Sequence, residues 1–584
     1  MRSLVPLLAL AACTAHRVEP REPVPFADGD MADISEASGI QQGNFAVDPP
    51  EGTVINDHSR LAFADLNGDR IDDIVMHSLY PNAQNGVPFE HLVFLGNGDG
   101  TFTDHSDASG LRDVQAAFFA FGDLDNDGDQ DLFAGVDIPD LGSNAIYLND
   151  GAGVFTVLPD AGVVEGTSKA ANALFFDANG DGNLDLFVGN GGTAYLARDQ
   201  FFFGNGDGTF TYDSDALPQA PRQPANGSVA CDFDDDGDVD IFVSNYSVSS
   251  ELGANQLWVN DGSGRFSERG VALGFASQAT GNSWLPGTGH GTEPEPDRGP
   301  GEYIGSNGFG IDCADANGDG LLDIALATIS HPVGSDYNRK WSDPSQLLLN
   351  QGPSADYAFV DAWAERGLPF NEGDLDVALV DIDLDGQLDI SLSRESKYEA
   401  NYDEDDQKGW FGLMLQDPSG FSSRGLLSGI NDSSGETKRM KGAQNHAWAD
   451  IDLDGDLDLL VGGRDQGGGR PNFLFENTVG QDNRHLVFYV EGDGSAVNRD
   501  GIGTRLRFTD DATLRVAEVK SSRGMYNSED TQAVHMSLHD LSRGAVLTVQ
   551  WPDGSAFEAK LGRDFGDGDR VLLRYPDTVE VLAE

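Results

Sequence analysis

Seven times along the chain a short run of aspartates returns with the same internal grammar, and no other feature limits the possible folds so strongly. The runs begin at Asp65, Asp123, Asp177, Asp232, Asp315, Asp381 and Asp450, at intervals of 54 to 83 residues. Oxygen-bearing side chains fill positions 1, 3, 5 and 9, and position 6 is usually glycine. A hard cation such as Ca²⁺ takes six to eight oxygens, and alternate side chains of a tight loop can converge on it together with the carbonyl at position 7. Glycine at position 6 permits the reversal.

The candidate ligands are therefore, loop by loop, Asp65, Asn67, Asp69, Ile71 (carbonyl) and Asp73; Asp123, Asp125, Asp127, Asp129 and Asp131; Asp177, Asn179, Asp181, Asn183 and Asp185; Asp232, Asp234, Asp236, Asp238 and Asp240. The remaining three loops offer Asp315, Asn317, Asp319, Leu321 (carbonyl) and Asp323; Asp381, Asp383, Asp385, Gln387 and Asp389; and Asp450, Asp452, Asp454, Asp456 and Asp458. In the first loop Arg70 replaces the glycine and brings a positive charge, which puts occupancy of that site in question. An EF-hand opens with a similar string but needs a glutamate at position 12 and flanking helices. Position 12 here is Met76, Ala134, Val188, Val243, Leu326, Leu392 or Val461, inside apolar runs such as Ile241-Phe242-Val243. Another apolar run precedes each loop, so the unit is strand, metal loop, strand. Up to seven Ca²⁺ ions in structural roles are the expected cofactors.

A second half follows in most repeats. Phe94 to Phe102, Tyr147 to Phe155 and Trp258 to Phe266 each read strand, Gly-rich turn, strand. Four short antiparallel strands make one propeller blade. The repeat resembles the FG-GAP/VCBS family, known from integrin α-chain propellers and exported bacterial proteins. The predicted fold class is thus all-β: a seven-bladed β-propeller with Ca-binding loops over residues 31–477, plus a small C-terminal β domain. Met31-Ala32-Asp33 to Ile40 parallels Phe102-Thr103-Asp104 to Leu111, the fourth strand of the first repeat. Residues 31–40 are therefore expected to supply the missing strand of the seventh blade and so hide its edges.

The aspartate grammar stops near residue 480, and residues 480–584 read as a small β domain. Asn498-Arg499-Asp500-Gly501-Ile502-Gly503, Tyr526 to Asp530, His535 and Trp551-Pro552-Asp553-Gly554 resemble the ASPIC/UnbV domain. It commonly follows FG-GAP repeats, in exported bacterial proteins and in cartilage acidic protein 1. Glu529 stands where that family usually has Gln, and Ser537-Leu538-His539 replaces a Gly-Leu-Gly. Arg499 and Asp500 are read as a pair bracing a Gly-rich turn.

At the other end, Arg2, the apolar Leu4 to Leu10 and the string Leu10-Ala11-Ala12-Cys13 look like a bacterial lipobox. That resemblance implies a signal peptide over 1–13, lipidation at Cys13, a tether over 14–30, and an outer-membrane or surface location in a Gram-negative cell. The membrane is then met only through the N-terminal lipid. A formal net charge of -62 disfavours nucleic acid as a partner. Cys231 and Cys313 lie one and two residues before their loops; an exported protein leaves a disulfide between them open, but strand alternation puts them on opposite faces and favours two buried free thiols.

Long insertions at 276–307, 328–345, 394–409 and 428–445 fall on the face opposite the metal loops, where recognition tends to sit on a rigid scaffold. They carry Trp284, His290, Trp341, Tyr398, Tyr402, Lys438, Arg439 and Lys441, suited to a glycan or protein ligand. A binding or adhesion module is the leading expectation. The alternative is a polysaccharide lyase, with His331, Tyr337, Arg339 and His446 as candidate base and cation.

Overall fold

Runs such as Phe118-Phe119-Ala120-Phe121 and Ile241-Phe242-Val243 are rich in β-branched and aromatic residues and are closed off by glycine turns, a composition that favours short strands over helices. The computed structural model describes residues 25–40, 60–77, 91–136, 142–164, 169–191, 197–246, 254–276, 308–329, 345–369, 371, 373–394, 409–431, 440, 442–462, 472–480, 483–509, 514–525, 527–537, 545–561 and 565–582. The fold is all-β and propeller-like. Among the described residues no helix is long and apolar enough to cross a membrane.

Among the described residues before 480 the strands form seven four-stranded antiparallel sheets. The first comprises Leu61–Ala64, Asp73–His77, His91–Gly96 and Phe102–Asp104. The next five repeat that order, opening on Phe118–Gly122, Ala170–Phe176, Ala225–Cys231, Gly308–Ala314 and Asp374–Val380. The seventh holds His446–Ala449, Asp458–Val461, Phe473–Asn477 and, as its fourth strand, Met31–Asp33. Met31 pairs with Asn477 and Asp33 with Phe475. The first two strands of the second, third and fourth sheets are buried at every position, whereas fourth strands such as Phe102–Asp104 bury only their first residue. Each sheet is thus covered on both faces near the centre and wet at its outer edge. Neighbouring sheets share cores around the whole set, and Phe63, Ile74 and Phe94 of the first pack with Ala447, Ala449 and Leu460 of the seventh. The sheets close a ring.

The cysteines correct the sequence reading, because Cys231 and Cys313 form a disulfide. Alternation does place them on opposite faces of equivalent strands. In a ring, however, one face of each sheet meets the opposite face of the next, so that alternation aims both thiols into the same core. Val229, Cys231, Ile311 and Cys313 share it.

Two further four-stranded sheets make the C-terminal domain. One has the order Val534–Ser537, His485–Glu491, Arg570–Arg574 and Thr578–Val581; the other runs Leu514–Glu518, Arg505–Thr509, Ala545–Gln550 and Ala556–Leu561. A connecting segment, 520–531, touches the inner strands of all seven sheets, which only a segment on the ring axis can do. Phe63 N–H donates to the Glu529 carbonyl (2.9 Å), and Ser228 and Gly524 exchange backbone hydrogen bonds (3.1 and 3.3 Å). Ala173 N–H donates to Asn527 Oδ1 (2.8 Å), Trp448 N–H to Asp530 Oδ1 (2.8 Å), and Phe121 N–H to Glu529 Oε2 (3.3 Å). Lys520 Nζ reaches Asp312 Oδ1 and the Cys313 carbonyl, both at 2.6 Å, and Arg523 donates to the Val377 carbonyl (2.8 Å) and the His446 carbonyl (3.0 Å). The inner edges of a propeller present open backbone donors to its axis, and here the chain's own segment satisfies them.

Candidate metal centres and the docked face

In every loop the aspartate at position 1 organises the turn from within. Asp65 accepts N–H bonds from Gly68, Asp69 and Arg70 at 2.8 to 3.1 Å, and Asp177 accepts from Gly180, Asp181 and Gly182 at 2.8 to 3.2 Å. The aspartate at position 9 staples the loop to its sheet. Asp131 accepts from Leu124 N–H (3.1 Å) and from Asn149 N–H on the third strand (2.8 Å); Asp323 does the same with Ala316 and Asn350, and Asp458 with Ile451 and Asn477. Holding backbone is therefore one of its duties.

Convergence separates the loops into two groups. Three carboxylates bring one oxygen each within 4.8 Å of one another at Asp123, Asp125 and Asp127; at Asp232, Asp234 and Asp240; at Asp381, Asp383 and Asp385; and at Asp450, Asp452 and Asp458. These are the four loops whose positions 1, 3, 5 and 9 are all aspartate. In the other three, Asn67, Asn179 and Asn317 supply a neutral oxygen, which each also uses to accept the N–H of the following aspartate.

The residues fit a hard cation. Oxygens of Asp234, Asp240, Asp381, Asp383 and Asp450 are buried with no hydrogen-bond partner among the described residues, although buried acceptors are normally satisfied. Burial, reinforced by neighbouring carboxylates, pushes the carboxyls of Asp123 and Asp381 up to about 8 and those of Asp232 and Asp383 to about 7. A divalent ion favours the ionised forms that burial and like charge disfavour, and an all-oxygen donor set suits Ca²⁺.

Two kinds of functional contact escaped the sequence reading. An amide at the end of the third strand crosses to the preceding sheet and caps its loop at position 2. Asn149 Nδ2 donates to the Leu66 carbonyl (2.8 Å), Asn260 to Ala178 (2.9 Å), Asn350 to Phe233 (2.8 Å), Gln416 Nε2 to Ala316 (3.0 Å) and Asn477 to Ile382 (2.7 Å). In the first and third sheets the position is Gly96 or Gly204, where a Cβ would stand 2.7 Å from the Asp72 carbonyl or 2.1 Å from the Leu184 carbonyl.

The second is the C-terminal domain, which rests on the metal-loop face. Its approach uses the position-6 glycines: a Cβ there would meet the Ser495 carbonyl at Gly182 (2.3 Å), Arg515 at Gly386 (1.7 Å) and His485 at Gly455 (1.7 Å). Arg70 takes positive φ in the glycine's place and sends its guanidinium across to Glu491 (2.8 Å). It serves docking, which explains a residue that looked only damaging to a metal loop. Asp500 corrects the sequence reading, since it leaves the Gly-rich turn to accept Asp123 N–H (2.8 Å) and the Gln130 side chain, while Asn498 braces the turn through Ile502. Arg505 and Arg507 both hold Asp235, at position 4 of the fourth loop.

Of the lyase candidates, His331, Tyr337 and Arg339 lie outside the described residues, as do Cys13 and most of the long insertions. His446 is fully buried on the inner strand of the seventh sheet, its ring nitrogens bonded to Ser391 Oγ (2.7 Å) and Ser393 Oγ (2.9 Å). Burial, with Arg523 nearby, pulls its pKa well down, so it is a neutral packing residue and not a base open to substrate.

The FG-GAP-like repeat model matches residues 123–188 and 177–243, and the ASPIC and UnbV model matches residues 494–561. The chain carries FG-GAP-like repeats and an ASPIC/UnbV domain. No curated protein shows significant similarity to it. Among solved structures it is similar to an Agrocybe aegerita lectin that recognises non-reducing terminal N-acetylglucosamine, at 16% identity and TM-score 0.38, covering 65% of this chain and 82% of the lectin chain. It is also similar to BBS1N, solved in complex with ARL6DN, at 10% identity and TM-score 0.36, covering 77% of this chain and 97% of that one. Likenesses this distant carry no argument about ligand.

Proposed function

We propose that the protein is a Ca²⁺-stabilised, exported binding or adhesion module. Lipid at Cys13 tethers it to the outer membrane or cell surface, and it presents the long-loop face to a glycan or protein ligand. FG-GAP-like repeats with an ASPIC/UnbV domain support a binding or adhesion module in the coarser sense. The observation that carries the calcium reading is the set of buried carboxylate oxygens without partners that converge in the loops. The ion's part is to neutralise and order those loops; the binding face lies elsewhere, because the C-terminal domain covers the loop face and fills the axis. No described residue favours the lyase alternative.

A glycan and polysaccharide panel on the chain from residue 25 onward, run in Ca²⁺ and in chelator, tests the reading. Calcium-dependent retention without cleavage supports it. Release of unsaturated sugar product replaces it with the lyase. Absence of any calcium binding removes the ion from the account.

A further inference from the structure

The C-terminal domain recognises the metal loops mainly through their backbone, and the backbone shape of a metal loop is what its ion sets. Arg570 donates to the Arg70 carbonyl (3.0 Å) in the first loop, and Asp123 N–H in the second donates to Asp500 (2.8 Å). Arg505 reaches the Asp232 carbonyl in the fourth. In the sixth, Asn483 holds the Asp383 carbonyl (2.6 Å) and Arg515 the Gly386 carbonyl (3.2 Å). In the seventh, His535 Nδ1 donates to the Gly455 carbonyl (2.9 Å). These six groups sit at positions 1, 3 and 6, among the residues that must curl around a cation.

We propose that calcium binding and docking of the C-terminal domain are one coupled equilibrium, so that the ions latch segment 520–531 into the ring axis and their loss releases it. The proposal rests on the calcium reading above and extends it to a conformational consequence. Without ions, converging carboxylates repel and the loops open. Carbonyls displaced by even one ångström lose directional hydrogen bonds, whose strength falls steeply with geometry. One effect opposes release: bare loops are more acidic and attract Arg505, Arg507, Arg515 and Arg570 more strongly. That attraction is screened and needs no particular loop shape, so it slows departure without restoring the backbone contacts. The freed segment leaves an axial channel lined by the open inner edges at Phe63, Phe121, Ala173, Ser228 and Trp448.

Linkage makes the coupling reciprocal: whatever loosens the domain weakens calcium by the same factor. His535→Ala provides the variant, because it removes the domain's donor to the Gly455 carbonyl and leaves every loop residue in place.

Hydrogen exchange on the full chain, with calcium binding measured in parallel by equilibrium dialysis, decides the matter. Chelation is expected to speed exchange across 520–531 and those inner-strand amides by at least about tenfold, while the second strands 185–190 and 240–245 keep their protection. H535A should loosen the same segment in saturating Ca²⁺ and weaken calcium binding. If calcium binds yet exchange in 520–531 is unchanged or slower in chelator, the latch is wrong and the calcium reading stands. Acceleration spread evenly over all strands means global unfolding and also overturns it. If no calcium binds, both readings fall together. A loosened segment in H535A with unaltered calcium affinity refutes the coupling.

Discussion

Burial with like charge at the loop aspartates gives pH a sign that depends on calcium. The carboxyls of Asp73, Asp123 and Asp381 are pushed up to about 8 by burial, against about 4 in an unfolded chain. Between those values the ion-free folded state binds more protons than the unfolded one, so its stability falls as pH rises through the window. In chelator the melting temperature should therefore climb on going from pH 8 to pH 5. With Ca²⁺ bound the same groups are held ionised, protons compete with the ion, and the melt should fall over the same interval. Thermal melts at both pH values in both conditions check this; a slope of the same sign in each would remove the ions from the loops. The disulfide supplies a second test at this scale. Closing a loop with a sequence separation of 82 residues restricts the unfolded chain, so Cys231→Ser with Cys313→Ser should lower unfolding free energy by about 2–4 kcal/mol in urea titrations. The bond was not legible from alternation alone, because facing across a ring interface requires knowing that the ring exists.

Each sheet's metal loop is anchored by its position-9 aspartate, and five of the seven also receive an amide from the next sheet. Position 9 was visible in the sequence as one more aspartate in a ligand pattern, and its stapling role was hidden because its partner on the third strand lies 18 to 27 residues on. The crossing amides were hidden for a similar reason: Asn149 and Asn260 open Asn-Asp-Gly turns and Asn350 an Asn-Gln-Gly turn, and turn chemistry already accounts for an asparagine there. The distinction is testable. Asn350→Ala leaves the Phe233 and Leu322 carbonyls without their donor and should cost about 1–3 kcal/mol. Asn97→Ala at the exposed turn of the first sheet, where the amide meets only the exposed hydroxyls of Thr101 and Thr103, should cost under about 0.5 kcal/mol. Equal losses in the two variants would show that the crossing bond adds nothing to turn geometry.

At the scale of the whole molecule, the strand–loop–strand grammar exposed nearly everything local and almost nothing about how the two parts meet. Nothing in residues 520–531 reads as an axial segment, since Ser-Arg-Gly and Asn-Ser-Glu-Asp look like a polar surface loop. The segment is polar because its surroundings are backbone edges. Its residues Ser522, Arg523, Met525, Asn527, Ser528 and Glu529 are all buried, with Met525 packed among Phe309, Ile329 and Leu375. Arg523 is the centre of that arrangement, bonded to Asp530, to the fully buried Asp376 (3.3 Å) and to two carbonyls. Arg523→Ala strands the Asp376 carboxylate without a cation and should destabilise the chain by about 3–5 kcal/mol. Much of that loss comes from the orphaned charge and not from missing attraction. Adding Asp376→Asn should therefore restore part of the stability, because the amide keeps an acceptor for Ser528 and for the His446 N–H while carrying no charge. Urea titrations of the single and double variants measure it. A double variant no more stable than Arg523→Ala would mean that the guanidinium acts through its bonds to the Val377 and His446 carbonyls, as a brace for the inner strands.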